Sequence, residues 1–124
     1  MTQQNTSDVL MSLLEDDEME MSVVVSDPNL PDNPMIFVSG EFEVQTGYAA
    51  QEALGRNCRF LQGPETHPDA VELIRAGLRA QTRFTVDILN YRKNGSSFLN
   101  RLRIRPIFDE HGRVVYFIGA QNPI

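Results

Sequence analysis

The sequence predicts an α+β domain in which short helices cover one face of a single antiparallel sheet. Two short β-branched or apolar segments come first, a series of short helical segments follows, and three long alternating segments end the chain. Strands joined by tight turns pair antiparallel, and a sheet with one apolar face needs helices to cover it. At 124 residues, the chain is long enough for one such domain and too short for two.

The N-terminal segment, residues 1–21, differs from the rest of the chain in charge. Residues 1–22 contain six acidic and no basic residues, whereas the remainder contains eleven of each, so the net charge of −6 resides here. Ser7 is a suitable N-cap, and apolar residues recur at helical spacing over 7–15, which predicts a short amphipathic helix. The acidic run 15–20 is expected to be a solvated linker.

The domain proper, residues 22–122, begins with two short strands. β-branched and apolar runs bounded by Asp, Asn and Pro predict strands at 22–26 and 35–38. Glycines divide the stretch 40–62 into short helical pieces. A longer amphipathic helix is expected over about 67–80, where apolar residues share one face.

Three long strands complete the predicted sheet. Alternating segments place them at 83–92, 96–107 and 113–121, and Asn94-Gly95 is a strong signal for a hairpin turn between the first two. Little sequence follows the last strand, so no effector domain is expected.

Composition and charge exclude several classes of protein. No apolar run is long enough to span a membrane, and no secretory signal is visible. The neutral domain offers no basic excess for nucleic acid. A lone cysteine and two scattered histidines supply neither a disulfide nor a metal site, and the cysteine usage fits a cytoplasmic protein.

The most informative motif is residues 55–63, with the sequence GRNCRFLQG. It places the thiol of Cys58 beside the carboxamide of Asn57 and two guanidiniums, those of Arg56 and Arg59. The arginines could favour the thiolate or bind an anion. The alternative is a buried, unreactive cysteine. The absence of a neighbouring residue that could act as a base for the thiol is consistent with this alternative.

A second pattern is a carboxamide on each of the three long strands. Asn90, Asn100 and Gln121 each share a strand face with apolar or small residues. Because a buried amide demands a hydrogen-bond partner, three amides on inward faces favour a ligand with a polar edge. A network of amides within the protein is the alternative.

Residues 55–63 resemble the flavin-binding signature of the LOV (light, oxygen, voltage) domains, a branch of the PAS superfamily. Further matching segments extend the resemblance over residues 22–121, among them Leu89–Lys93, Phe98–Asn100 and Tyr116–Gln121. The resemblance implies a PAS/LOV fold with a five-stranded antiparallel sheet and a non-covalently bound FMN. The chain is also similar to the free-standing short LOV proteins of bacteria.

The resemblance also implies roles for individual residues. Cys58 would form a reversible adduct with flavin C4a after blue-light excitation, and Gln121 would relay the signal. Arg59 and Arg75 match the arginines that bind the FMN phosphate. The remaining residues expected to contact the flavin are Val24, Ser26, Met35, Asn57, Leu61, Gln62, Val71, Ile74, Leu78, Ile88, Asn90, Asn100, Leu102, Phe117 and Gly119.

The outward residues of the sheet predict an interface. The apolar ones are Val23, Val25, Leu89, Tyr91, Val114, Tyr116, Ile118 and Ala120, and three arginines line the strand between. An apolar face of this size normally marks an interface. We expect the N-terminal helix and a second subunit to cover it in a homodimer, with the acidic run facing the arginines. A monomer capped by its own helix is the alternative.

These expectations lead to a photoreceptor that is not an enzyme and acts on a downstream protein partner. The alternative function is a flavin-free, PAS-like protein-interaction module. A flavin redox enzyme is disfavoured because no nicotinamide motif or site for a second substrate is visible.

Overall fold

The structure, a computed structural model, describes residues 10–124. The strands are β1 (Ser22–Ser26), β2 (Met35–Val38), β3 (Phe84–Tyr91), β4 (Ser97–Phe108) and β5 (Val114–Pro123). The helices are α1 (Gly40–Thr46), α2 (Ala50–Ala53), a 3₁₀ helix (Cys58–Leu61) and α3 (Pro68–Ala80). These four helices lie between β2 and β3, where the sequence predicts helical segments.

The five strands form one antiparallel sheet in the order β2-β1-β5-β4-β3. The Asn94-Gly95 turn joins β3 to β4, and Gly95 has a φ of 89° that suits glycine. The predicted α+β fold is confirmed, with strand ends that differ by only a few residues. The last strand, for example, continues beyond Gln121 to Pro123.

The inner face of the sheet carries the core that packs against the helices. Helix α3 begins at Pro68, where the ring pre-sets the helical φ, and His67 caps it by accepting a hydrogen bond from the Asp69 N–H at 3.0 Å. Apolar side chains of α3 pack against β3, β4 and β5, among them Ile74 and Leu78. Alternation along the strands therefore places one row of side chains under the helices.

The outer face is covered by the chain's own N-terminal segment. Leu10, Leu13 and Leu14 pack against a buried cluster on β1 and β5, formed by Val23, Val25, Ile118 and Ala120. Residues 7–9 of the predicted helix lie outside the described residues. Leu10 and Met11 are helical, and the chain then continues in turns. The prediction that this helix extends to residue 15 is therefore wrong.

The acidic run is mostly exposed, as expected of a solvated linker, but one of its residues is buried. Glu18 is buried, and its carboxylate accepts hydrogen bonds from Arg105 Nε at 2.9 Å and from Arg105 Nη2 at 2.5 Å. Glu15 bonds to Arg83, and Asp17 bonds to Arg103. The acidic run therefore faces the arginines, as expected, and the apolar residues on either side of it pack against the sheet.

Two residues predicted to point outward have other surroundings. Val114 packs against Ile104 and Phe117 in the core, because the pairing of β4 with β5 shifts register between Ile107 and Phe108. Tyr91, at the end of edge strand β3, accepts a hydrogen bond from the Glu65 N–H through its hydroxyl at 3.0 Å.

None of the helices formed by residues 10–124 has the length and apolar character needed to cross a bilayer.

Candidate functional site

A cavity lies between the inner face of the sheet and the short helices. With its open mouth it encloses about 690 Å³ of space not filled by atoms, a volume that includes open solvent. Its lining residues are Val24, Ser26, Asn33, Asn57, Cys58, Arg59, Leu61, Gln62, Ile74, Leu78, Ile88, Asn90, Leu102, Ile104, Phe117, Gly119 and Gln121. Most of these are predicted flavin contacts.

Cys58 begins the 3₁₀ helix that forms one wall of this cavity. Asn57 caps that helix by accepting a hydrogen bond from the Arg59 N–H at 2.9 Å. Burial raises the pKa of the Cys58 thiol to about 12, despite a backbone hydrogen bond that acts in the opposite direction. The thiol is therefore protonated at neutral pH, and the nearby arginines do not convert it into a thiolate nucleophile.

Of the two arginines in the motif, only Arg59 lines the cavity. Its guanidinium forms an ion pair with the carboxylate of Asp32, in the loop between β1 and β2. The guanidinium of Arg56 lies over the ring of Phe60 instead, with Cζ 4.2 Å from the ring centroid. Arg59 is thus the basic side chain that a ligand entering this cavity would meet.

The three inward amides are buried, but they differ in their partners. Asn100 Nδ2 donates to Asn90 Oδ1 at 3.0 Å, and Asn100 Oδ1 accepts from the Asn122 N–H at 3.0 Å. Gln121 Oε1 is buried and has no hydrogen-bond partner. Asn90 and Asn100 thus form an amide network within the protein, which is the alternative that the sequence leaves open. Gln121 instead presents an unsatisfied acceptor to the cavity.

Four predicted contact residues do not line the cavity. Met35 is fully buried in a cluster with Val24 and Leu61 and with Phe42 and Ala53 of α1 and α2. Val71 packs against β3 residues. Arg75 lies on the exposed side of α3, 3.9 Å from a carboxylate oxygen of Glu72. The fourth, Asn100, is fully buried and bonds to Asn90 and to the Asn122 N–H.

Two lining residues, Asn33 and Ile104, are absent from the predicted contacts. Ile104 continues the inward alternation of β4, so its position could have been read from the strand pattern. Asn33 belongs to the Asp-Asn-Pro turn and has a φ of 48°. Its sequence signals a turn, which does not reveal that the turn lies at a cavity. Asn33 Oδ1 is also buried without a partner.

These features fit a flavin. The isoalloxazine ring is flat and largely apolar, with a polar edge, and the cavity combines apolar walls with the unpaired Gln121 acceptor. A side-chain Cβ at Gly119 would approach Val24 Cγ2 to 3.2 Å, so glycine here keeps the wall open. Within residues 10–124, no group of three or more His, Cys, Asp or Glu side chains is placed to hold a metal ion.

Comparison with known proteins places the chain in a family. Residues 20–122 match a family described as PAS domain. A blue-light-activated histidine kinase of Brucella anthropi is 48% identical over 101 residues, which are 82% of this chain and 21% of that protein. Phototropin-2 of Oryza sativa subsp. japonica is 47% identical over 105 residues, 85% of this chain and 12% of that protein.

Solved structures agree with these matches. The structure described as "Flavin Analogue Sheds Light on Light-Oxygen-Voltage Domain Mechanism" has a TM-score of 0.86 and 46% identity, covering 96% of this chain and 86% of its own. The LOV domain of the Erythrobacter litoralis EL346 blue-light-activated histidine kinase has a TM-score of 0.81 and 38% identity, covering 85% and 96%.

The curated relatives are photoreceptors that contain other parts as well. The chain spans between 11% and 29% of their length. Domains of this type bind a flavin chromophore. The match to the PAS family model and the similarity to whole LOV domain structures lead to one conclusion: the chain belongs to the LOV branch of the PAS domain family.

Proposed function

We propose that this chain is a blue-light photoreceptor that binds FMN and forms a reversible bond between Cys58 Sγ and flavin C4a. The observation that carries the proposal is the position of the half-buried Cys58 thiol in the wall of a cavity that has apolar sides and an unsatisfied Gln121 acceptor. The flavin would supply blue-light absorption and an excited state that reacts with a neutral thiol. Cys58 would give its sulfur to C4a and its proton to N5, so the step needs no external oxidant or reductant.

Individual side chains have distinct roles in this proposal. Arg59 would bind the phosphate at the mouth, while Asn90 and Gln121 would contact the polar edge of the ring. The Gln121 carboxamide can rotate to exchange Oε1 for Nε2, so it can respond when an acceptor on its ligand becomes a donor. Gln121 lies on β5 next to Ala120, which contacts the N-terminal segment. This adjacency supports a signal that passes through β5 to the outer face.

We further propose that the chain forms a homodimer through the outer face and the N-terminal segment. Side chains in these regions remain exposed although they are apolar, namely Met11, Met19, Leu99 and Ile124. Light scattering coupled to gel filtration, in darkness and under blue light, measures the assembly state directly. A monomer under both conditions would contradict the dimer and leave the photochemistry unaffected.

The photochemistry is tested with the full chain and the variant Cys58→Ala. The wild-type protein should be yellow, lose its blue absorption band under blue light and recover it in darkness. Cys58→Ala should retain the flavin and lose this reversible bleaching, because Cys58 is the sole thiol of the chain. Reversible bleaching in the variant would contradict the role of Cys58. A colourless wild-type protein would favour the flavin-free interaction module.

A further inference from the structure

The loop between β1 and β2 brings a carboxylate to the mouth of the cavity. Asp32 adopts a left-handed backbone conformation with a φ of 67°, and its carbonyl oxygen accepts a hydrogen bond from Asn57 Nδ2 at 2.7 Å. Its carboxylate pairs with Arg59 Nη2. Asp32 is therefore held to the segment that carries Cys58 by two contacts, one from its backbone and one from its side chain.

Arg59 is the only charged side chain among the described residues that line the cavity. It supplies a single positive charge, and Asp32 already occupies one of its nitrogens. A phosphate group at the mouth carries about 1.5 to 2 negative charges near neutral pH. To bind Arg59, its oxygens must displace the Asp32 carboxylate, which breaks the ion pair, or share the guanidinium with it, which brings like charges together.

We propose that Asp32 competes with the ligand's phosphate for Arg59 and thereby sets how strongly the protein prefers FMN to riboflavin. This inference rests on the proposed function, because it assumes that the cavity binds a flavin. Riboflavin has no phosphate and leaves the Asp32–Arg59 ion pair intact, so the competition weakens only FMN. Asp32 is a specificity-determining residue in this scheme, although no ring atom of the ligand needs to contact it.

The expected effect is moderate because both side chains are 57% exposed and water screens their charges. Exposed ion pairs are typically worth up to about 1 kcal/mol, which corresponds to about a fivefold change in a dissociation constant. Removing the carboxylate should therefore tighten FMN binding about two- to fivefold at low salt and leave riboflavin binding unchanged. Added salt should reduce the difference.

The test measures dissociation constants of FMN and riboflavin for the flavin-free full chain, in darkness, by quenching of flavin fluorescence. The test variant is Asp32→Asn, which keeps a residue that tolerates the left-handed conformation. Asp32→Gly is the second variant, since glycine also suits this backbone and retains the carbonyl that Asn57 contacts. Either variant suffices if the other fails to fold.

Asp87→Asn is the matched control. Asp87 forms an ion pair with Arg101 at 2.9 Å, and their side chains are 42% and 52% exposed. The variant makes the same change of charge in a similar pair that does not line the cavity, so it should leave the ratio of the two dissociation constants unchanged. An equal rise of the FMN preference in Asp87→Asn would overturn the inference by showing a general effect of net charge.

A double variant separates competition for Arg59 from direct repulsion of the phosphate. In an Arg59→Ala background, Asp32→Asn should no longer change the FMN preference, because the contested group is gone. The inference is overturned if the preference rises equally in that background, or if Asp32→Asn weakens FMN because Asp32 orients Arg59 for the phosphate. Each of these results leaves the photoreceptor proposal intact, whereas a wild-type chain that binds neither flavin contradicts that proposal itself.

Discussion

On the inner face of the sheet, the buried oxygen Gln121 Oε1 has no partner, whereas on the outer face the buried carboxylate of Glu18 is bound twice by Arg105. An unsatisfied buried acceptor typically costs about 1–3 kcal/mol. Gln121 Oε1 lies without a partner beside a cavity that a ligand can enter, whereas the Glu18 carboxylate is paired by Arg105 of the same chain.

The same contrast applies to the arginines. Arg105 is nearly buried, and its pKa is raised by the hydrogen bond to Glu18 and by the nearby carboxylates, against the effect of burial. Arg59 is exposed at the mouth of the cavity, where the Asp32 hydrogen bond likewise raises its pKa. The Arg105–Glu18 pair holds the N-terminal segment against the sheet, whereas in the exposed Arg59–Asp32 pair a ligand can take the place of the carboxylate.

The largest expected effect comes from breaking the outer ion pair. Arg105→Met retains an unbranched apolar stem but leaves the Glu18 carboxylate buried without its partner, which typically costs about 3 kcal/mol or more. Arg101→Met breaks the exposed pair with Asp87 and should cost less than about 1 kcal/mol. Urea unfolding of the two variants measures the free energies of unfolding. Equal losses would show that the outer face does not depend on the buried pair.

The next effect concerns the inner face and the proposed FMN phosphate site. Arg59→Ala should weaken FMN about tenfold or more, because a charge-assisted hydrogen bond contributes roughly 1.5–3 kcal/mol. Riboflavin should weaken much less. Arg75→Ala is the control for position, since Arg75 is exposed and does not line the cavity. Fluorescence titration of both flavins checks this, and a larger loss with Arg75→Ala would mean that α3 supplies the phosphate contact.

The sequence predicts the elements of this molecule better than their long-range pairing. Alternation places Ile88, Leu102 and Phe117 on one face of the sheet, because a strand's period of two is a local property. The burial of Glu18 is different, since its partner Arg105 lies 87 residues away. The strand faces predict that the acidic run meets the arginines, but a run of acids does not reveal which carboxylate becomes buried, and only the folded structure shows that it is Glu18.

The candidate site shows the same division. The GRNCRFLQG motif and the strand faces indicate most of the residues that line the cavity. Met35 and Val71 are apolar and lie close to lining residues, and sequence does not reveal which of two neighbouring apolar side chains reaches the surface of a cavity. Asn33 lines the cavity because of a turn conformation, and Asp32 meets Arg59 for the same reason. Turn geometry and tertiary packing decide these four positions.

A smaller effect should appear in the pH dependence of stability. Desolvation raises the pKa of Glu18, but hydrogen bonds from Arg105 and the Glu15 N–H, with the charge of Arg105, lower it more, so it lies below its ordinary value of 4.5. The unfolded chain therefore binds the proton more readily. The resulting stabilisation is fully present above the unfolded pKa and is lost as the pH falls through the folded pKa.

Glu18→Gln removes this titration. The variant should be less stable than wild type at neutral pH, and the difference should shrink as the pH falls below about 4.5, the ordinary value for this side chain. Glu20→Gln, an exposed position in the same segment, should follow the wild-type curve. Urea midpoints between neutral and acidic pH measure this. A constant difference between Glu18→Gln and wild type would mean that protonation of Glu18 is not coupled to unfolding.

The smallest expected effect is on the rate of dark recovery in the proposed photocycle. Met35 packs behind Val24 and Leu61, both of which line the cavity. Isoleucine has a similar volume, a stiffer side chain and a preference for strands, so Met35→Ile should cost less than about 1.5 kcal/mol in stability. A stiffer second layer should admit water to the cavity less often and slow recovery about two- to threefold, a barrier change of less than about 1 kcal/mol.

The control is Met19→Ile, an exposed position on the outer side, which should recover at the wild-type rate. Absorbance recovery after a blue pulse, at equal FMN occupancy, measures both variants. Unchanged or faster recovery in Met35→Ile would show that water access through this wall does not limit the rate.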